Sequence, residues 1–120
     1  MMTEPYSDEV RRRFSQVSHG GAAAGETASA KKRTPDLKLR LSVRVDRETV
    51  EAIKFQVWGC PHTIAACDLL CELATGQPVS TLENIDFSEI MRSLSVPVEK
   101  TVRILALEDC VRDLITAVRT

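Results

Sequence analysis

The chain has 120 residues, enough for one domain with its own core. Apolar residues make up 43% and charged residues 28%, which excludes a mainly disordered chain, and no apolar run reaches the length of a membrane span. The net charge of −1 conceals an asymmetry: residues 10–47 carry ten basic and three acidic side chains, whereas residues 48–120 carry six basic and eleven acidic ones. A basic front can attract phosphates or an acidic partner. No basic–aromatic pattern accompanies the charge, so nucleic acid is not indicated. The start, MMTEPYSDEVRRRF, lacks an apolar segment after its charges and does not read as a signal peptide, so a cytoplasmic protein is expected. Four cysteines without a secretory signal, Cys60, Cys67, Cys71 and Cys110, read as free thiols. There is no C-x-x-C to signal a zinc ribbon or a redox dithiol.

Tyr6, Val10 and Phe14 recur at helical spacing behind a capping Ser7, predicting a short helix over 7–15. Residues 18–36 are rich in Gly, Ala, Ser and Lys without periodicity and are expected to form a mobile loop outside the core. Residues 37–45 alternate strictly, with Leu37, Leu39, Leu41, Val43 and Val45 on one side and Lys38, Arg40, Ser42 and Arg44 on the other. That pattern is a half-buried strand. After a turn at 46–49, Ile53, Phe55 and Val57 alternate with Lys54, Gln56 and Trp58, predicting a second strand paired antiparallel with the first.

Gly59-Cys60-Pro61 ends that strand, and a helix is predicted from about residue 62 to 75, closed by Gly76. Its apolar stripe is Ile64, Cys67, Leu70, Cys71 and Ala74. Asp86 can cap a third helix with Glu89 as capping-box partner, and Ile90, Met91 and Leu94 form its apolar side. Pro97 interrupts, and a last helix is expected over about 100–118, with Ile104, Leu107, Val111, Leu114, Ile115 and Val118 as its stripe. The expected class is α+β, a small antiparallel sheet with helices packed on one face.

The sharpest local feature is Cys60. A strand runs into Gly59-Cys60 and a helix starts at once, so the sulfur lies at a helix N-terminus, where N–H groups and the macrodipole favour an anion. Such a position lowers a thiol pKa and makes Cys60 the main candidate for metal or sulfur chemistry. His62, two residues on, could complete a Cys-x-His pair, although a histidine at a helix start is more commonly exposed or a cap. Cys67 and Cys71 lie i,i+4 on the apolar stripe, and Cys110 beside Val111, so all three read as core thiols. Carboxylates are scattered, no Ser-His-Asp order is suggested and no glycine-rich phosphate loop follows a strand, so an enzyme is not expected.

The segment Lys54–Gly76 resembles the middle of the IscU/NifU-type iron–sulfur cluster assembly scaffolds, in which a strand ends in aromatic-Gly-Cys before a small-residue helix that closes on Gly. Phe55, Trp58, Gly59, Cys60, Ile64, Ala65, Glu72 and Gly76 fit that pattern. Tyr6, Ser7 and Val10 resemble the family's opening helix, and Leu39–Val45 its first long strand. Val96-Pro97 and Lys100, then Glu108-Asp109, are similar to its Leu-Pro-Pro-Val-Lys segment and following helix. The resemblance implies the scaffold fold, a role in iron–sulfur cluster assembly, iron or cluster binding, and partners such as a cysteine desulfurase-like sulfur donor and a chaperone.

The family's cluster is implied to be held by three cysteines with an Asp and a His. In the ungapped register the first Cys and the Asp fall on Pro35 and Leu37, and the His and third Cys fall on Val102 and Arg103. Only Cys60 remains, and one thiolate cannot hold a two-iron cluster. An Arg103 near Cys60 would favour its thiolate and repel a cation, which suits a persulfide or other anion better than iron. The expectation is therefore a diverged or accessory scaffold-like protein presenting Cys60 and docking assembly partners. A metal-free interaction or regulatory module on the same fold, and a small zinc- or iron-binding protein using Cys60 and His62, are the alternatives.

Overall fold

Ser7 accepts a hydrogen bond from the Val10 amide and starts the first helix, α1, Asp8–Ser15, as its position before Asp8 and Glu9 predicts. The structure, a computed structural model, describes residues 6–119; the stretch read for a signal peptide begins outside the described residues. The order continues with strands β1 (Ala28–Thr34), β2 (Leu37–Asp46) and β3 (Thr49–Trp58) and helix α2 (Pro61–Ala74). The short helix α3 (Ser80–Glu83), α4 (Phe87–Leu94), a 3-10 turn over Val98–Lys100 and α5 (Thr101–Arg119) complete it.

The strands form one antiparallel meander in the order β1-β2-β3. Alternation places Leu37, Leu39, Leu41 and Val43 of β2 and Ile53 and Phe55 of β3 on the inner face, each 3% exposed or less. At about 1.5–3 kcal/mol for a fully buried aliphatic side chain, this face anchors the fold. Helix α5 packs on β1 and β2, and α2 packs on β3 and α1. Asp86 caps α4 by accepting from the Ser88 and Glu89 amides. The α+β reading with helices on one face holds.

Two parts differ from the sequence reading. The stretch 18–36, expected as a mobile loop outside the core, contains the edge strand β1 and an ordered crossing. Its inner positions are Ala28 and Ala30, and Lys32 reaches Asp113 of α5 at 3.5 Å, so the strand offers small and long polar side chains where apolar ones are looked for. Before it, the Ser18 and His19 amides donate to the buried Asp68 of α2, at 3.0 and 3.2 Å. Gly20 and Gly21 then run along the free edge of β3 at Phe55. Residues 22–27 cross the outer face of the sheet, where Ala23 is buried and its amide donates to Ser42 Oγ at 2.8 Å.

The second difference is Arg13. It lies in an Arg11-Arg12-Arg13 run yet is 4% exposed, donating to Asp68 at 2.9 Å, Glu9 at 2.7 Å and Glu72 at 3.0 Å. Asp68, 2% exposed, thereby ties α1 and the start of the crossing segment to α2. The β2–β3 turn places Arg47 and Glu48 at φ +51° and +67°, a conformation that glycine or asparagine adopts with less strain.

Candidate functional site

The β3–α2 junction presents Cys60 as the N-cap of α2, with Pro61 at the first helical position. Gly59 before it packs closely: a Cβ there would lie 3.1 Å from Leu37 Cδ1, so the close approach of β3 to β2 at the site uses the missing side chain. Cys60 is half-buried. Its Sγ is 3.4 Å from Thr63 Oγ1, and the positive charge of Arg103, on the first turn of α5, favours the thiolate. Partial burial pushes the thiol pKa up, but the Thr63 hydroxyl and amide together with the Arg103 guanidinium outweigh it, and the net direction is below the ordinary cysteine value.

The same guanidinium donates from Nη2 and Nε to Asp36 Oδ2 at 2.9 and 3.2 Å. Thr34 donates its hydroxyl to Asp36 Oδ1 at 3.0 Å. These bonds, Arg103 first, hold the Asp36 carboxyl below the usual carboxylate range. Asp36 is the side chain that sequence reasoning missed. Thr34 pairs with Leu37, so Pro35 and Asp36 form the two-residue turn between β1 and β2 and the carboxylate projects toward α5. The register counted from the strand places the family's aspartate on Leu37, which is fully buried; the carboxylate at the site is that of the neighbouring Asp36. The usable signal was the sequence Thr-Pro-Asp at a strand end, a turn by composition.

The other candidates sort as follows. Cys67 and Cys71 are fully buried, and burial raises both thiols well above the ordinary value. Cys110 is buried against the Ala30 carbonyl and is pushed up to about 11, chiefly by desolvation. His62, expected to be exposed or a cap, is instead 2% exposed. Its ring lies 4.7 Å from that of Tyr6 at a tilt of 59°, and neither ring nitrogen has a hydrogen-bond partner among the described residues. Burial first, and then the charges of Lys100 and Arg103, lower its pKa. Val102 is 70% exposed and offers no donor.

A two-iron cluster needs about four protein ligands. Cys60 is the one accessible thiol among the described residues, Asp36 is engaged by a cation, and no group of three or more His, Cys, Asp and Glu with metal-holding geometry occurs among them. The donor set present therefore does not fit a cluster on one chain.

A three-stranded meander is thus backed by α2 and α5, with one cysteine at the strand-to-helix junction. Residues 5–117 match the family described as the NifU-like N-terminal domain, and the chain belongs to that family. It is 33% identical over 84 residues to iron sulfur cluster assembly protein 1, mitochondrial, of Eremothecium gossypii, which covers 68% of this chain and 54% of that protein. It is also 33% identical over 76 residues to the iron-sulfur cluster assembly scaffold protein IscU of Rickettsia prowazekii, covering 63% of this chain and 57% of that one. The chain spans little more than half the length of these curated relatives. Among solved structures, a putative iron-sulfur cluster assembly scaffold protein for the SUF system from Fervidobacterium islandicum superposes with a TM-score of 0.73 at 13% identity, over 92% of this chain and 96% of that one. The N-terminal part of a NifU-like protein from Brucella abortus gives 0.72 at 14% identity, over 94% and 93%. At such identities the structural likeness establishes the fold alone.

Proposed function

We propose that this protein is a diverged, accessory member of the scaffold family that accepts sulfur on Cys60 instead of holding a two-iron cluster by itself. The observation that carries the reading is the Arg103 guanidinium, which is bonded to Asp36 and whose charge favours the Cys60 thiolate, where a bound metal would need both negative charges. The Cys60 thiolate attacks the terminal sulfur of a donor's cysteine persulfide. A new S–S bond forms at Cys60, the donor's S–S bond breaks, and the donor leaves as a thiolate, so no oxidant or reductant is consumed. Arg103 and the first turn of α2 then stabilise the anionic terminal sulfur. The donor is a cysteine desulfurase-like protein, and the work belongs in a reducing compartment such as the cytoplasm, where the three buried thiols stay reduced. The protein acts here as a sulfur acceptor and docking partner, without turnover of its own.

The test is incubation with glutathione persulfide followed by intact-mass and peptide mass spectrometry. Addition of one sulfur atom, mapped to Cys60 and absent in Cys60→Ser, is expected. Reconstitution with iron and sulfide that leaves about two irons per chain and a persistent visible charge-transfer band would overturn the proposal.

A further inference from the structure

The outer face of the sheet is covered only in part. The crossing segment buries Ser42 and ends at Glu26, which accepts from Arg40 at 2.7 Å. Beyond that border the face is open up to Trp58. Register puts Lys31 directly opposite Arg40, Arg33 opposite Lys38, and Lys38 opposite Trp58, so all five side chains share the outer face. Trp58 is 65% exposed, and the Lys38 ammonium lies 5.9 Å from its ring centroid. Together these residues line one shallow groove. Lys31, Arg33 and Lys38 have no carboxylate partner among the described residues.

Like charges directly opposed across strands destabilise a sheet. Lysines on an edge strand guard against edge-to-edge pairing, but Lys38 belongs to the central strand and, unlike Arg40 with its Glu26 partner, needs another explanation. An exposed tryptophan among cations is the composition of a binding hot spot for a negatively charged surface. Nucleic acid is the weaker match, because a sheet that reads single strands stacks several bases on several aromatics and here there is one, in a chain of net charge −1.

We propose that this open half of the sheet, Lys31, Arg33 and Lys38 around Trp58, docks an acidic segment of a partner protein, with carboxylates on these three cations and an apolar side chain on the indole. The surface stands on the sheet alone and does not depend on what Cys60 carries, although Trp58 leads directly into Gly59-Cys60 and a partner seated there lies beside the thiol.

Trp58 is the single tryptophan, so its emission reports on this face alone. Titration of the full chain with a peptide of repeating Glu-Glu-Leu units should give a saturable, salt-sensitive change in that emission. The doubly reversed variant Lys31→Glu/Arg33→Glu should bind about tenfold more weakly or worse. It should also be as stable as the parent or more so, because reversal turns two repulsive cross-strand pairs into attractive ones. That combination separates lost docking from lost folding. Cys60→Ser should bind the peptide as the parent does, so docking and sulfur acceptance are read independently. Absence of a saturable change, equal binding by the reversed variant, tighter binding of oligo(dT) than of the peptide, or an emission change that tracks self-association of the chain would each overturn the proposal.

Discussion

Removing the Asp68 carboxylate should be among the most damaging single changes outside the apolar core. In Asp68→Ala, Arg13 loses one of three carboxylate partners while remaining 4% exposed, and the Ser18 and His19 amides lose their acceptor. Breaking a buried ion pair costs about 3–5 kcal/mol, and the low end applies here because Glu9 and Glu72 still contact the guanidinium at 2.7 and 3.0 Å. About 3 kcal/mol is a large share of a domain stability of roughly 5–15 kcal/mol and corresponds to a fall in Tm on the order of 10 °C. Asp68→Asn keeps an acceptor for the two amides and removes only the charge, so it should cost less, about 1–2 kcal/mol. Urea denaturation followed by far-UV circular dichroism measures both, and hydrogen exchange locates the effect: protection should fall first at Ser18, His19 and Gly21, where the segment is pinned to Asp68 and to Phe55. A cost below about 1 kcal/mol for Asp68→Ala, or equal costs for Ala and Asn, would refute the assignment of Asp68 as the charged staple between α1, the crossing segment and α2.

Thiol labelling in the native state should modify Cys60 fast and Cys67, Cys71 and Cys110 slowly. Because the Cys60 pKa lies below the ordinary value, its rate should persist to lower pH than that of a free cysteine, and Arg103→Gln should move the fall in rate to higher pH. Replacing the turn residues, Arg47→Asn with Glu48→Gly, should raise stability by about 1 kcal/mol in thermal melts, since both occupy left-handed conformations and the exposed Glu48–Arg119 pair that is lost contributes little. His62→Phe should flatten the acid side of the stability curve. The folded-state pKa of His62 is lowered, so its stabilising effect is complete above the ordinary histidine value of about 6.5 and is lost as pH falls through the lowered value, and a phenylalanine has no such loss.

The sequence was most legible where one physical signal dominated. Strict alternation from Leu37 to Val45 set the strand and its buried face, and Asp86 marked the start of α4 as its cap, although Glu89, read as its capping-box partner, accepts from Arg92 instead. Cys60 was legible as a helix N-terminus because glycine, cysteine and proline punctuate the strand end. The edge strand β1 was hidden because its inner face is alanine and a lysine stem, supported by α5 and not by its own hydrophobicity. Asp36 was hidden because its part in the site comes from a two-residue turn between Thr34 and Leu37, which brings its carboxylate to Arg103 of α5, 67 residues away in the chain. The burial of Arg13, Asp68 and His62 has no local signal, for in one dimension they are an arginine in a basic run, an acid within an apolar stripe and a histidine at a helix start.

The chemistry of the site follows from which cation balances its anions. A thiolate at Cys60 and a carboxylate at Asp36 are two negative groups at neighbouring strand ends, and in a metal site a divalent ion would compensate them. Here the compensating charge is Arg103, tethered through α5 and always protonated, so neither chelation nor mild acid removes it. A cation entering the site has to displace the guanidinium from Asp36 and gives up the interaction of Arg103 with the sulfur. A terminal persulfide sulfur would meet the opposite situation: it carries negative charge, extends the reach of Cys60, and is favoured by the Thr63 hydroxyl and the Arg103 charge that already lower the thiol pKa. An arginine in this place therefore gives the site a preference for anions, in keeping with the sulfur-accepting role proposed for Cys60.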